Sequence, residues 1–185
     1  MDILEAIHTR QSIPKVRPDP VPQHLVERLL SAAVQAPNHH RVRPWRFVVL
    51  SGKARNRLGE VMAASLSKKA PDTPEGVLDV ERSRPLRAPL LIVIGVDKPR
   101  EAKVIEVENI CAAAAATQNL LLAAHGLGLA GMWRTGPAAY DPDIKAFLGF
   151  EPDQYLIGFL YIGYPEVERV FVERPSFEDR TTWME

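Results

Sequence analysis

Neither sign of charge is in excess in this sequence, and cysteine is almost missing. The 185 residues contain 23 Lys and Arg against 23 Asp and Glu, so the formal net charge at pH 7 is zero. Nucleic-acid binding is not expected, because it requires a basic surface. Cys111 is the single cysteine, which excludes a disulfide within the chain and fits a reducing compartment. Because five alanines follow it in a helical pattern, we expect Cys111 to be a small core residue.

Apolar runs long enough to span a membrane, internal repeats and long linkers are also lacking. The longest apolar stretches are broken by polar residues or glycine, and no signal-peptide pattern is visible. No membrane span is therefore expected, and a cytoplasmic location is predicted. The length suits one domain with a substantial core, so we predict a single domain over residues 1–185.

The pattern that is present alternates helical and strand-like segments. Helices are predicted at residues 1–9, 25–36, 56–66, 74–84 and 104–125, with a short one capped by Asp141 and Pro142. Strands are predicted at residues 45–50, 89–96, 129–133 and 156–164, and the apolar run 89–96 is typical of a strand buried on both faces. Residues 68–73 form the best candidate for a mobile lid. The alanine-rich helix is expected between other helices or at a subunit interface.

A loop rich in hydrogen-bond donors joins the second helix to the first strand. Pro37 ends the helix, and His39, His40, Arg41 and Arg43 follow without a carboxylate between them. The loop suits an anionic or electron-rich ligand, and a solvated basic loop is the alternative. A metal site at the two histidines is not expected, because adjacent side chains diverge and no third ligand accompanies them.

The last segment, residues 165–185, differs in composition from the rest. It carries mixed charge, two prolines and the bulky Phe171, Phe177 and Trp183. We expect an arm that packs on something outside the core.

Five segments, in this order and spacing, resemble the nitroreductase family, in particular its compact single-domain branch of the YdjA type. They are Arg10-Gln11-Ser12, Ala36-Pro37 followed by Pro44-Trp45-Arg46-Phe47, Arg87-Ala88-Pro89, Gly126-Leu127-Gly128-Leu129 leading to Trp133-Arg134-Thr135-Gly136, and residues 158–165. The resemblance implies an α+β fold, a three-layer α-β-α sandwich around a mixed sheet. It also implies a homodimer with FMN at the subunit interface, in which residues 165–185 pack on the partner. Such proteins pass hydride from NADH or NADPH to nitroaromatics, quinones or similar acceptors.

The same resemblance places the phosphate end of FMN near the first helix. Arg10, Gln11 and Ser12 would contact the phosphate or ribityl chain, which a guanidinium and a hydroxyl suit chemically. A surface arginine with a capping serine is the alternative. Gln11 stands where relatives often carry Arg or His, which removes one phosphate cation. Lys15 would lie at the pyrimidine edge, although Pro14 occupies the position where many members have a base.

The flavin ring is assigned to residues from both subunits. By resemblance, Trp133, Arg134 and Thr135 line the ring, with a main-chain N–H directed at N5; a core aromatic is the alternative for Trp133. Gln35 and His39 match positions that reach the flavin from the partner subunit, and a capping or surface role is the alternative for His39.

A second phosphate cation is assigned to Arg174, which resembles a C-terminal basic position of larger family members. No side chain is predicted to be catalytic, because the flavin carries the hydride chemistry. Other flavin chemistries, namely enal reduction, dehalogenation or flavin fragmentation, and a non-catalytic FMN-binding module are the alternatives. The sequence leaves the physiological acceptor and the choice between NADH and NADPH open.

Overall fold

The computed structural model of the chain describes residues 1–167, residue 170 and residues 172–185. Six α-helices lie in these ranges: α1 (Ile3–Thr9), α2 (Gln23–Ala33), α3 (Lys53–Lys69), α4 (Glu75–Ser83), α5 (Glu106–Gly126) and α6 (Pro142–Phe147). Four strands accompany them: β1 (Trp45–Ser51), β2 (Leu90–Val96), β3 (Ala130–Arg134) and β4 (Tyr155–Gly163). Short 3₁₀ turns lie at His39–Arg41, Arg84–Arg87, Pro137–Ala139 and Glu178–Arg180. The predicted order of helices and strands is confirmed.

The four strands form one sheet in the order β1-β2-β4-β3. Each neighbouring pair of strands is antiparallel. The four-stranded sheet is therefore antiparallel rather than mixed, and the parallel pairing in the described residues is the isolated bridge between Ser12 and Gly131, outside the four strands. The bridge places the segment after α1 beside β3.

Strand β2 lies at the centre of the molecule, and all seven of its residues are buried, as its apolar run predicts. Successive side chains of a strand point to opposite faces. Ile92 and Ile94 pack with residues of α2 and α5, whereas Leu91 and Val93 pack with residues of α3 and α6. Helices therefore cover both faces of the sheet, and the predicted three-layer α+β sandwich is confirmed.

Helix α5 lies between α2 and the sheet, which agrees with its alanine content. Ala113, Ala116 and Ala124 are fully buried, and such small side chains allow close approach of the neighbouring backbone. Gly128 takes the left-handed conformation after the helix, with φ of +76°, which glycine adopts without strain.

Cys111 is exposed, so the expectation of a core cysteine is wrong. The buried stripe of α5 passes through Ala112, Ala113 and Ala116. Successive residues of a helix are rotated by about 100°, so Cys111 lies just outside this stripe. Its alanine neighbours gave no signal of which face would be buried.

The predicted lid begins inside a helix. Helix α3 continues to Lys69. The amine of Lys68 forms an ion pair with Asp143 of α6, and that of Lys69 with Asp141, which caps α6. Basic residues in the last turn also favour the helix C-terminus. The expectation of a loop from residue 68 is wrong, and a lid remains a prediction for residues 70–73 alone.

Both ends of the described chain leave apolar side chains exposed. The apolar residues of α1, namely Ile3, Leu4 and Ile7, are exposed, and Ala6 is the buried residue of this helix. In the C-terminal segment, Phe177 and Trp183 are also exposed, while Phe171 lies outside the described residues. Within the described ranges, no helix is both long and apolar enough to cross a membrane.

Candidate functional site

Two guanidinium groups meet where α1 ends. Asp2 caps the helix at its start, and Arg10 ends it with an extended backbone. Nη2 of Arg174 donates a hydrogen bond to the carbonyl oxygen of Arg10 at 3.2 Å. Burial and the neighbouring charge of Arg174 both lower the pKa of Arg10. Because two like charges lie side by side, a bound anion would stabilise the pair.

The two arginines line a cavity of about 340 Å³ with residues of α1, His125 and Val172. Glu5 also borders this cavity, but its carboxylate faces the N-terminal amine of Met1 at 4.0 Å. Gln11, another lining residue, donates from Nε2 to the carbonyl oxygen of Val170 at 2.7 Å. Gln11 therefore connects the end of α1 to the C-terminal segment.

A partly buried contact between Thr9 and His125 fixes the position of Arg10 relative to α5. The Thr9 hydroxyl donates to the carbonyl oxygen of Glu5 at 2.7 Å and lies 2.7 Å from Nε2 of His125. Since a hydroxyl has one proton, Nε2 of His125 is the donor in the second contact. Sequence reasoning missed His125, although a histidine next to the glycine that ends a helix is a recognisable signal.

A second, more open cavity of about 380 Å³ brings the end of α1 to β3. Its lining includes Arg10, Ser12, Trp133 and Thr135, together with Leu121 of α5. Four of the residues assigned to cofactor binding thus surround one space. Arg10 borders both this cavity and the arginine-lined one, so the two form adjoining sites.

Trp133 lies at the surface of this site, with an exposed fraction of 37%, so the alternative of a core aromatic is excluded. Its indole Nε1 donates to the carbonyl oxygen of Ile157 at 2.9 Å. This position requires a glycine at residue 158, where φ is +146°. A Cβ atom there would lie 2.5 Å from the Trp133 indole nitrogen and from the Arg134 carbonyl oxygen. Gly158 therefore leaves room for the indole beside β4.

A third cavity, on the α3 and α4 face of the sheet, contains groups that sequence reasoning did not assign to a site. Trp133, Arg134 and Thr135 border it, and the added polar residues are Glu81, Arg84, Arg87 and Tyr161. Arg87 belongs to a segment that resembles the nitroreductases, whereas no local pattern singles out the other three.

Lys15 is not brought to these cavities. Its side chain is exposed, its carbonyl oxygen accepts a hydrogen bond from the main-chain N–H of Glu166 at 3.2 Å, and the described lining residues do not include it. The pyrimidine-edge role of Lys15 stays a prediction.

Gln35 and His39 lie apart from Arg10 and Trp133 of the same chain. Nε2 of Gln35 donates to the carbonyl oxygen of Ser31 at 3.3 Å, and Nδ1 of His39 lies 2.9 Å from a carboxylate oxygen of Glu108 in α5. The loop therefore does have an acidic neighbour, which its own sequence could not reveal. Contact with a partner's flavin stays a prediction for both residues.

The basic loop adopts a strained backbone. His40, Arg41 and Arg43 have φ values of 51°, 55° and 51°, a region that non-glycine residues rarely occupy. The side chain of Asn38 stabilises the loop, because its Oδ1 accepts the Arg43 N–H at 2.9 Å. Strain of this kind often occurs at binding sites.

Comparison with known proteins gives consistent results along the chain. The model of the Nitroreductase family matches residues 7–164. YdjA of Escherichia coli (strain K12), provisionally named an NAD(P)H nitroreductase, is 30% identical over 169 residues, which cover 91% of each chain. The structure of a nitroreductase-like family protein from Bacillus cereus has a TM-score of 0.85 at 26% identity, covering 100% of this chain and 97% of that one. A provisionally named nitroreductase from Desulfovibrio desulfuricans, solved in complex with FMN, has a TM-score of 0.76 at 26% identity, covering 100% and 98% of the two chains.

Proposed function

Because the chain belongs to the nitroreductase family, we propose that it is an FMN-dependent oxidoreductase that passes hydride from NADH or NADPH to nitroaromatic, quinone or similar acceptors. The family predicted from the sequence is confirmed. The name of YdjA supports the nicotinamide donor, and the FMN complex of the Desulfovibrio desulfuricans protein supports the cofactor.

The pair formed by Arg10 and Arg174 is the observation that carries the proposal. Two guanidinium groups in one cavity match the charge and the acceptor atoms of a phosphate dianion. Ser12 provides a hydroxyl in the adjoining cavity, and Trp133 and Thr135 border the same space. The donor set therefore fits FMN, with its phosphate at the arginines and its ring towards β3.

The protein contributes binding and orientation to this reaction. When bound, FMN supplies the hydride chemistry, as flavins do in other enzymes. Arg10 and Arg174 neutralise the phosphate, and His125 holds the end of α1 through Thr9. Trp133, held by Ile157 and Gly158, offers an exposed aromatic side chain to a planar ligand.

The functional unit we propose is a homodimer of single-domain chains, residues 1–185. The exposed apolar residues of α1, with Phe177 and Trp183 of the C-terminal segment, would be buried between subunits, where residues 165–185 pack on the partner. Gln35 and His39 would then reach the partner's flavin. The cytoplasmic location stays a prediction.

Release of the bound cofactor tests the proposal. The purified protein should be yellow and should release FMN, not FAD, on denaturation, as identified by chromatography of the supernatant. A colourless protein that does not bind added FMN would contradict the cofactor assignment.

A further inference from the structure

The cavity on the α3 and α4 face of the sheet combines an apolar wall with an excess of positive charge. It encloses about 420 Å³, within the range of small-molecule sites. Leu58, Met62 and Phe159 form its apolar wall. Its polar groups belong to Glu81, Arg84, Arg87, Arg134 and Tyr161.

The charges of this cavity are only partly compensated. Nη2 of Arg84 lies 2.8 Å from a carboxylate oxygen of Glu81, which is the one carboxylate among the described lining residues. Within the described part of the chain, neither Arg87 nor Arg134 has an acidic side chain at ion-pair distance. Two positive charges therefore face the cavity without a counter-ion.

The hydroxyl of Tyr161 offers a further hydrogen bond to a ligand. Burial raises the pKa of Tyr161, against the opposing effect of the guanidinium groups of Arg87, Arg134 and Arg84, so its hydroxyl keeps its proton and can donate. Arg84 also lines the cavity, so a third guanidinium group, paired with Glu81, adds to the positive charge around a ligand.

We propose that this cavity is a subsite that selects flat, anionic electron acceptors, such as nitroaromatic or quinoid carboxylates. The acceptor's carboxylate binds Arg87 and Tyr161, and its ring packs on the apolar wall. The inference rests on the proposed function, because Trp133 and Thr135 border both this cavity and the one assigned to the flavin ring. For a nitroaromatic acceptor, one NAD(P)H and one proton convert the nitro group to a nitroso group and release NAD(P)⁺ and water.

Two nitroaromatic substrates that differ in charge test whether the cavity selects an anionic acceptor. The ratio of kcat/KM for 4-nitrobenzoate to kcat/KM for the neutral 4-nitrobenzamide should fall about tenfold in Arg87→Gln, because a charge-assisted hydrogen bond is lost. The two compounds differ in reduction potential, but this difference affects the ratio equally in every variant and cancels when variants are compared. Arg28→Gln makes the same change on the exposed side of α2 and should leave the ratio unchanged. An equal loss for both substrates in Arg87→Gln would overturn the proposal.

Binding of a non-reducible ligand provides a readout apart from turnover. Benzoate should bind the FMN-loaded protein more tightly than benzamide by calorimetry, and Arg87→Gln should remove this preference. Equal binding of the two ligands by the unmodified protein would overturn the anionic subsite even if NAD(P)H oxidation is normal. If no acceptor is reduced, the proposed function fails, while the benzoate titration still decides the chemistry of the cavity.

The flavin itself could occupy this cavity, and the same variant tests that outcome. Arg87→Gln should retain FMN and riboflavin with unchanged dissociation constants. A parallel loss of both flavins would assign Arg87 to the ring of the cofactor and would overturn its assignment to the acceptor.

Discussion

At the scale of single residues, the proposed function depends on how Arg10 is held. Its main chain accepts a hydrogen bond from Arg174, and the preceding Thr9 contacts His125. Neither contact uses the Arg10 guanidinium group, and Arg10 lines the cavity without an ion-pair partner among the described residues. We therefore predict that it binds a phosphate.

Replacing Arg10 by alanine should weaken FMN binding without affecting riboflavin. Loss of charge-assisted hydrogen bonds of about 1.5 to 3 kcal/mol corresponds to a decrease in FMN affinity of about ten- to two-hundredfold. Fluorescence titration of the apoprotein with each flavin measures both affinities, and Arg28→Ala is the matched control. An equal loss of both flavins would assign Arg10 to structure or to the ring, and an unchanged FMN affinity would assign the phosphate to Arg174.

A second residue-scale prediction concerns Gly158. An alanine Cβ would lie against the Trp133 indole and the Arg134 carbonyl group, at a φ of +146°. Gly158→Ala should therefore lower the free energy of unfolding by about 1–3 kcal/mol and weaken flavin binding. Urea denaturation measures the first effect. Gly76→Ala is the control, because no heavy atom lies within 4 Å of a Cβ there; wild-type stability in Gly158→Ala would refute the proposed role of this glycine.

At the scale of elements, the buried carboxylate of Asp141 attaches the start of α6 to α3, beside the more exposed ion pair of Lys68 with Asp143. Asp141 is buried, accepts hydrogen bonds from the N–H groups of Asp143 and Ile144 at the start of α6, and accepts another from the Ser65 hydroxyl at 2.5 Å. Burial alone would raise the pKa of Asp141, but the hydrogen bonds from Lys69, Ser65 and Ile144 lower it overall. The ionised form is thus the one that stabilises the fold.

Asp141→Ala should cost about 1–2 kcal/mol of stability at neutral pH, as expected for loss of an N-cap. Because the folded-state pKa is lowered, the contribution of the charge is present above the unfolded pKa, about 3.9, and is lost as pH falls through the folded value. Urea denaturation between pH 7 and pH 3 should show a smaller loss of stability on acidification for Asp141→Asn than for the wild type. Parallel curves for the two proteins would contradict this role of the carboxylate.

Elements with a local signal could be predicted from the sequence, whereas contacts between distant segments could not. The apolar run of β2 and the Asp141-Pro142 cap depend on neighbouring residues, and both predictions agree with the structure. The cluster of Arg84, Arg134 and Tyr161 is assembled by folding, so no spacing along the chain indicates it. Likewise, the ion pair of His39 with Glu108 joins a loop to a separate helix.

The candidate site also combines residues that the sequence indicated with contacts that only folding creates. The arginine pair and the residues of β3 were indicated by family resemblance, and the structure brings Arg10 and Arg174 together and groups Ser12, Trp133 and Thr135 in the adjoining cavity. Lys15 does not join this group, because its main chain pairs with Glu166.

At the scale of the whole molecule, exposed apolar side chains predict a homodimer. Leu4 in α1 is 65% exposed in the single chain, so Leu4→Glu should not disturb the fold of the chain. The substitution should dissociate the dimer at micromolar concentration, as measured by sedimentation velocity. Val80→Glu in α4, also at an exposed apolar position, is the control and should remain dimeric. A wild-type protein that sediments as a stable, FMN-loaded monomer would refute the dimer and the role of Gln35 and His39.

The two half-reactions, measured separately without oxygen, test the proposed enzyme most directly. Stoichiometric NADH or NADPH should bleach the yellow absorbance of the FMN-loaded protein, and after removal of the nicotinamide an equimolar amount of menadione should restore it. Recovery of colour by the quinone alone would show that the bound flavin carries the hydride between two substrates. An FMN-loaded protein whose colour neither nicotinamide bleaches would contradict the assignment as an NAD(P)H-dependent oxidoreductase.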